Sequence, residues 1–216
     1  MIKIVIADDH EIVRNGLSNL LDVEADISVI GEAENGRDAI KLTNELNPDI
    51  ILMDLSMHDL NGIDATKQIK KDNPKIHVIA LSMHSERHIV INAFKAGVSG
   101  YVLKDSSLIE LVKAIRTIHL GHRYLPIEIS DIVVQELSSG LNGKTTIGAC
   151  PLSSRENEIL QLLAEGKSIG DIASDLYISP KTVASHRANI MDKLNIHNLP
   201  LLTKYAIGAG LTSVEF

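Results

Sequence analysis

The first half of the chain alternates five short apolar segments with amphipathic ones, and this alternation restricts the fold more than any other feature. Each apolar segment is a nearly continuous run of Val, Ile and Leu, which is typical of strands buried on both faces of a parallel sheet. The predicted strands are 2–7, 27–33, 49–53, 76–82 and 99–103. The predicted helices are 11–21, 35–46, 62–72, 85–96 and 106–119. Five such units predict an α/β domain with an open, doubly wound parallel sheet, whose ligands lie beyond the carboxyl ends of the strands.

The strand pattern stops near residue 121, and the chain beyond it has only helical patterns. One helix is predicted at Ile127–Ser138, followed by a Ser- and Gly-rich tether that extends to Gly143. Serine caps and apolar stripes then predict an all-α domain of four helices. We therefore divide the chain into a first domain, a linker and a second domain, at 1–121, 122–148 and 149–216.

Composition narrows the class of protein. No apolar run approaches the roughly 18 residues that span a bilayer, and the first residues read directly as a strand rather than a signal peptide. A single cysteine, Cys150, excludes an internal disulfide and fits a reducing compartment. We expect a cytoplasmic protein with no membrane partner. The net charge of −7 argues against nucleic-acid binding by the whole chain, but 178–197 contains three basic residues and one acidic residue.

Polar residues stand where four of the predicted strands end. Asp8 and Asp9 follow the first strand, Asp54 follows the third, Ser82 ends the fourth and Lys104 follows the fifth. Taken singly, such residues more often face solvent; together they suggest one acidic pocket at the edge of the sheet. Carboxylates suit a Mg²⁺ ion, and an aspartate can accept a phosphoryl group. Lysine and serine would supply a cation and a hydroxyl donor for phosphoryl oxygens.

These residues stand within motifs that resemble the receiver domain of two-component response regulators. The matching motifs are Asp8-Asp9-His10, Met53-Asp54-Leu55, Asn61-Gly62, Leu81-Ser82 and Gly100-Tyr101-Val102-Leu103-Lys104. The resemblance covers about the first 120 residues and implies a flavodoxin-like fold.

The same resemblance implies a role for each site residue. Asp54 would be the phosphorylated residue, and Ser82 and Lys104 would grip the phosphoryl oxygens. Tyr101 would be the switch aromatic that turns inward when the serine moves. The implied Mg²⁺ ligands are Asp9, Asp54 and the carbonyl of Ser56, with Asp8 acting through water.

The second domain contains a predicted helix-turn-helix. The turn Tyr177-Ile178-Ser179 separates two predicted helices, and Pro180 occupies the first position of the second one. The segments Leu152–Glu156, Ala164–Ser168 and Ile178–Val183 resemble the DNA-binding domain of LuxR-type regulators. Together the two resemblances indicate the NarL/FixJ class of response regulators.

The second helix of this motif would enter a major groove of double-stranded DNA. Its outward-facing residues are candidates for base contacts, and other basic residues for phosphate contacts. The base candidates are Lys181, Thr182, Ser185 and Asn189, and the phosphate candidates are Arg187 and Lys193. On spacing alone, an amphipathic packing helix would explain the same pattern.

The expected function is therefore a transcription factor that is not an enzyme. A sensor histidine kinase would phosphorylate Asp54, and the resulting homodimer would bind two half-sites. We also expect the acidic first domain to mask the recognition helix before phosphorylation. The apolar segment Leu199–Ala209 would form a dimer face or be buried within its own domain.

Two other functions fit parts of the pattern. The first is an aspartyl-phosphate phosphatase, but such enzymes usually carry a second acid two residues after the nucleophile, where this chain has Ser56. The second is a first domain that dimerises without being phosphorylated, against which the intact acidic site argues.

Overall fold

The structure, a computed structural model, describes residues 1–141 and 152–212, without the side chains of 137–141. Its N-terminal domain alternates five strands with five helices. The strands are β1 (Ile2–Ala7), β2 (Ile27–Ala33), β3 (Ile50–Asp54), β4 (His77–Ser82) and β5 (Gly100–Leu103). The helices are α1 (Glu11–Leu21), α2 (Gly36–Leu46), α3 (Gly62–Asp72), α4 (Arg87–Ala96) and α5 (Leu108–His119). The predicted elements are confirmed, with small differences at their ends.

The strands form one parallel sheet in the order β2-β1-β3-β4-β5. This confirms the predicted doubly wound α/β fold. Ala7 pairs with Met53, Asp54 with Leu81, and Ser82 with Leu103. The residues at or just beyond the carboxyl ends of four neighbouring strands therefore come to the same edge of the sheet.

Successive residues of the central strands pack on opposite faces of the sheet. Val5 and Ile51 lie in one apolar core, and Ile4 and Ile50 lie in the other. All four side chains are fully buried. Because both faces of these strands are covered, their sequences are continuous apolar runs rather than alternating apolar and polar residues. The apolar runs therefore identify the strands in the sequence.

A sixth helix, α6 (Ile127–Leu141), packs beside the sheet after α5. Ile129 is fully buried in the core that contains Val5. The backbone N–H of Tyr101 donates to the Tyr124 carbonyl over 3.1 Å, and Arg87 pairs with Glu136 over 2.7 Å. The helix continues three residues beyond its predicted end. The rest of the predicted tether, and Cys150, lie outside the described residues.

The C-terminal domain has its own core among four helices. They are α7 (Ser154–Ala164), α8 (Ile169–Asp175), α9 (Pro180–Leu194) and α10 (Leu199–Gly208). Ile159, Leu160, Ile172, Val183 and Leu202 are completely or almost completely buried together. Ser153 and Ser168 are the N-caps of α7 and α8, which confirms the predicted serine caps, and each takes part in a capping box. No helix within the described ranges is long and apolar enough to cross a bilayer.

Gly62, at the start of α3, generates a prediction about the loop that follows β3. A Cβ atom at this position would lie 1.9 Å from the Asp54 carbonyl oxygen. We therefore expect Gly62→Ala to lower the free energy of unfolding by about 3 kcal/mol, because backbone atoms would have to move. Gly16 lies inside α1, and a Cβ atom at this position would have no neighbour within 4 Å outside the backbone of its own helix.

Gly16→Ala is the matched control for Gly62→Ala. It should raise the free energy of unfolding by about 0.5–1 kcal/mol through helix propensity. Urea denaturation of both variants measures the two effects. Equal, small effects of the two substitutions would contradict the tight packing of the loop against β3.

Candidate functional site

The structure brings three carboxylates and one ammonium together at the carboxyl edge of the sheet. Asp8 and Asp54 are 0% and 3% exposed. Lys104 Nζ lies 2.7 Å from Asp8 Oδ2 and 2.8 Å from Asp54 Oδ2. Asp9 lies on the outer side of the pocket, where its side chain contacts the rings of His10 and His58. The edge formed by β1, β3 and β5 therefore gathers the residues that the sequence predicted.

Burial and charge act in opposite directions on these groups. Burial raises the pKa of the Asp54 carboxyl, and the negative charge of Asp8 raises it as well. The positive charge of Lys104 lowers this pKa, but the net shift is upward. Burial lowers the pKa of Lys104, but Asp54 and Asp8 raise it more, so the ammonium is retained. Three carboxylates face one ammonium, and the pocket remains electronegative.

The donor set fits a divalent cation. Ligand atoms of Asp8, Asp9, His10 and Asp54 all lie within 4.8 Å of one another. Asp8 Oδ2 and Asp9 Oδ1 are both buried; Lys104 Nζ lies 2.7 Å from the first, and His10 Nδ1 lies 2.8 Å from the second. Buried carboxylate oxygens whose negative charge is only partly compensated are suitable ligands for a hard cation.

Ser82 and Tyr101 form a second layer beside this pocket. Ser82 Oγ accepts from the backbone N–H of His84 over 3.0 Å. The hydroxyl of Tyr101 donates to the His84 carbonyl over 2.7 Å, and its ring stacks on Phe94. Tyr101 is fully buried, and burial raises its pKa to about 12. The tyrosine therefore points inward, held by the β4–α4 loop that begins at Ser82.

The loop after β3 also holds the C-terminal domain. Gln161 of α7 is completely buried. Its Oε1 accepts from the backbone N–H and the side-chain amide of Asn61, over 3.0 and 3.1 Å. Its Nε2 donates to the Met57 carbonyl over 2.7 Å and to Glu165 over 2.8 Å. All four hydrogen-bonding positions of this amide are used, two of its partners being in the loop that follows Asp54.

Ion pairs extend the contact between the domains on both sides of Gln161. Arg37, in the first turn of α2, pairs with Glu158 of α7. Lys167 pairs with Asp59 over 2.7 Å and with Asp175 over 3.0 Å. A cleft of about 790 Å³ lies between the domains; it is lined by Asp9, Ser56, His58, Asp59, Ala164, Glu165, Lys167, Thr203, Ile207 and Thr212. The acidic pocket thus opens towards the C-terminal domain.

The recognition helix α9 does not take part in this contact. Its base-contact candidates Lys181, Thr182, Ser185 and Asn189 are all exposed. The expected masking of this helix by the first domain is therefore wrong. The N-terminal domain contacts α7, the α7–α8 turn and the end of α10 instead, because its hydrogen-bonding partners are located there.

The two phosphate-contact candidates on α9 have different surroundings. Arg187 is half-buried. Lys193 pairs with Glu156 of α7 over 2.7 Å and is 44% exposed. The hydrogen bond from Lys193 and those from Ser153 lower the pKa of Glu156 to about 2. Lys193 therefore joins α9 to α7 within the domain while its side chain stays accessible.

The apolar segment of α10 is divided between two environments. Leu202 and Ala206 are buried in the domain's own core, whereas Leu199 and Leu201 are 40% and 51% exposed. At the other end of the helix, the Gly208 carbonyl contacts the ring of His88 on α4. Burial within the domain therefore explains one stripe of the helix, and its N-terminal leucines remain available.

Sequence reasoning missed the residues that join the domains. Gln161 stands inside the run Ile159-Leu160-Gln161-Leu162-Leu163. A polar side chain in such a run is a signal that it has a buried partner. The run did not identify that partner, Asn61, which lies 100 residues away.

Two family models match the chain, one in each domain. The family model described as the response regulator receiver domain matches residues 4–116. The model described as bacterial regulatory proteins, luxR family, matches residues 150–206.

Proteins of similar length match across both domains. Response regulator UvrY of Escherichia coli (strain K12) is 37% identical over 216 residues, which cover 100% of this chain and 98% of that protein. Oxygen regulatory protein NreC of Staphylococcus aureus (strain MRSA252) is 37% identical over 95% of this chain and 96% of that protein. The structure of RcsB from Salmonella enterica serovar Typhimurium, bound to promoter rprA with the phosphomimetic BeF3-, has a TM-score of 0.63 and 29% identity, covering 95% and 98% of the two chains.

The four hydrogen bonds of Gln161 generate a prediction about domain docking. Gln161→Leu keeps the size of the side chain but leaves the Asn61 N–H and the Met57 carbonyl unpaired in a buried contact. Each unpaired group costs about 1–3 kcal/mol, so we expect the domains to separate. Small-angle X-ray scattering should show a larger radius of gyration.

The matched control for Gln161→Leu is Gln68→Leu. Gln68 is exposed on α3, and its side-chain amide donates to Asp72 of the same helix. This variant should scatter like the unmodified protein. If Gln161→Leu also leaves the scattering curve unchanged, this amide does not hold the domains together.

The Glu156–Lys193 pair generates a pH prediction. Because the folded-state pKa of Glu156 is lowered to about 2, its stabilisation is complete above the unfolded-state pKa, about 4.3, and is lost as pH falls towards 2. Glu156→Gln should therefore lower stability at neutral pH, and its difference from the unmodified protein should shrink between about pH 5 and 2. Denaturant unfolding across this range measures the difference.

Glu110→Gln is the control for this pH effect. Glu110 has the same position in the first turn of α5, after the N-cap Ser107, but within the described residues it has no lysine partner. This variant removes a first-turn glutamate without removing an ion pair to lysine, so it measures the contribution of the helix position alone. A constant difference between Glu156→Gln and the unmodified protein at every pH would contradict the assigned cause.

Proposed function

Since the chain belongs to the response regulators and is a transcription factor that joins a receiver domain to a LuxR-family DNA-binding domain, we propose that Asp54 accepts a phosphoryl group from a sensor histidine kinase. One observation carries the proposal: Asp54 lies buried at the end of β3, bonded to Lys104 and within reach of Asp8 and Asp9. Phosphorylation would switch dimerisation and DNA binding by the C-terminal domain.

Phosphoryl transfer requires that the protein position the reactants and compensate the negative charge of the phosphoryl oxygens. Asp54 attacks phosphorus through a carboxylate oxygen, an acyl phosphate forms, and the bond to the kinase imidazole breaks. Lys104 compensates negative charge on the phosphoryl oxygens, and Ser82 donates a hydrogen bond to one of them. Asp8, Asp9, Asp54 and the Ser56 carbonyl would hold Mg²⁺, which neutralises part of the charge on the transferred group.

The phosphoryl group would be sensed at two loops. On the β4–α4 side, Ser82 would turn from the His84 N–H towards the phosphoryl oxygen, and Tyr101, already inward, would hold that loop in its new position. On the other side, a shift of Ser56 would move Met57 and Asn61, which belong to the same loop. Since both bond to Gln161 over 2.7–3.1 Å, this second route leads directly to α7.

Release of α7 would also free the end of α10 from α4. The exposed Leu199 and Leu201 lie on the other end of α10, and we propose that this helix contributes to the homodimer. Lys181, Thr182, Ser185 and Asn189 would then meet base edges in two half-sites of double-stranded DNA, with Arg187 and Lys193 on phosphates.

The same proposal implies the cytoplasm as the compartment and signalling, rather than enzymatic turnover, as the function. DNA and a kinase's cytosolic domain are both met in the cytoplasm. Phosphorylated Asp54 would act as a stoichiometric signal rather than an enzyme intermediate, and Ser56 stands where an aspartyl-phosphate phosphatase would carry a second acid.

Asp54→Asn tests the assignment. Incubation of the unmodified protein with a small-molecule phosphodonor and Mg²⁺ should add the mass of one phosphoryl group and tighten DNA binding. Asp54→Asn should show neither change, because an amide is a poor nucleophile. Intact-protein mass spectrometry and fluorescence anisotropy on labelled DNA measure the two effects.

Asp22→Asn, an exposed position just after α1, is the control and should behave like the unmodified protein. A mass gain that persists in Asp54→Asn would place the phosphoryl group elsewhere. Phosphorylation without any change in DNA binding would overturn the switch and leave the acceptor site intact.

A further inference from the structure

The four helices of the DNA-binding domain end in the same backbone motif. At each end, one residue with positive φ donates its N–H to the carbonyl three residues earlier, and the next residue donates to the carbonyl five residues before itself. This is the Schellman arrangement, in which glycine and, less often, asparagine occupy the positive-φ position. The four residues, with φ in parentheses, are Gly166 (85°), Tyr177 (53°), Asn195 (53°) and Gly210 (69°).

Tyr177 is the exception among them. An aromatic side chain at positive φ brings Cβ close to the backbone, which glycine avoids and asparagine tolerates better. A residue of this kind persists where something else favours it. Packing does not favour it here, because the Tyr177 side chain is 96% exposed. Within the described residues, no hydrogen bond of its hydroxyl offsets the strain either.

The position of Tyr177 indicates what favours it. It stands two residues before Ser179, the N-cap of the recognition helix α9, and four before Lys181. The N-terminal end of a recognition helix approaches the base edges most closely. The turn that leads into it therefore runs beside the sugar-phosphate backbone. A left-handed residue in this turn points its side chain away from the protein.

We propose that Tyr177 is a DNA-backbone contact, with its hydroxyl donating to a phosphate oxygen and its ring lying against the adjoining sugar. The inference rests on DNA binding by the helix-turn-helix and adds a residue outside α9 to it. Tyrosine is among the side chains that bond phosphates, and such contacts fix the register of a protein on the duplex without reading sequence. The strain would then be tolerated because it directs a rigid side chain at the DNA.

The test separates stability from binding. Full-length protein treated with phosphodonor is titrated onto a labelled duplex of about 30 base pairs of mixed sequence at low salt, which suffices because a phosphate contact does not depend on sequence. Tyr177→Gly should raise the melting temperature by roughly 2–5 °C, since it removes the strain. The same variant should weaken DNA binding by roughly tenfold, so the two properties move in opposite directions.

Tyr177→Phe isolates the hydroxyl. It should leave the melting temperature unchanged and weaken binding by roughly three- to tenfold. Because a neutral hydroxyl releases no counterion, the dependence of binding on salt should be unchanged. Arg187→Ala, which removes a candidate phosphate contact, should instead reduce the slope of log K against log salt by about one. Asn195→Gly changes the equivalent helix end at the far end of α9 and should not alter affinity.

Three results would overturn the proposal. If Tyr177→Gly and Tyr177→Phe bind DNA as tightly as the unmodified protein while Lys181→Ala binds more weakly, α9 contacts DNA but Tyr177 does not. If Tyr177→Phe lost transcription activation but kept its DNA affinity, the Tyr177 side chain would contact a protein partner instead of DNA. If Lys181→Ala also binds DNA normally, α9 does not contact DNA, and the proposed contacts of α9 and of Tyr177 are both wrong.

Discussion

The contact between Lys104 and the two buried carboxylates Asp8 and Asp54 is the interaction on which the rest of the molecule depends. Unpaired charges are costly to bury, so the strand ends that carry these acids would repel each other without the ammonium. With Asp9 included, three carboxylates still outnumber one ammonium. That residual negative charge makes the pocket suited to a divalent cation, and a cation together with Lys104 makes it suited to a phosphoryl group. Stability and reactivity therefore arise from the same incomplete neutralisation.

This pocket could be predicted because strand polarity does most of the positioning. Once β1, β3, β4 and β5 are parallel neighbours, the residues at their carboxyl ends have to meet, and the register that pairs Ala7 with Met53 brings Asp8 beside Asp54. Continuous apolar runs identify those strands. The roles of Ser56 and Tyr101 came from family resemblance rather than from periodicity, and they stay predictions. Pattern reasoning thus finds the edge of the sheet, and resemblance supplies the chemistry of single residues.

The arrangement of the two domains could not be predicted in the same way. An acidic first domain and a basic recognition helix suggested that the two would meet, but net charge does not locate a contact. The contact depends on directional groups: the Gln161 amide, the Arg37–Glu158 pair and the Lys167–Asp59 pair. Each involves residues separated by 100 positions or more. Local patterns show that a polar residue is buried, but they carry no information about a partner so far along the chain.

A polar contact of this kind is well suited to reversal. Each domain has its own apolar core, so separation exposes mainly groups that water can hydrogen-bond. Because water replaces each lost partner, a single hydrogen bond contributes only about 0.5–1.5 kcal/mol. A few of them together therefore reach about 1–3 kcal/mol, which is the range of typical allosteric coupling energies. Thermodynamic linkage makes the coupling reciprocal: if phosphorylation at Asp54 loosens the hold on Gln161, docking of α7 must disfavour the phosphorylated loop by the same factor. Dimerisation and DNA binding, by trapping the separated form, would then favour the phosphorylated receiver in turn.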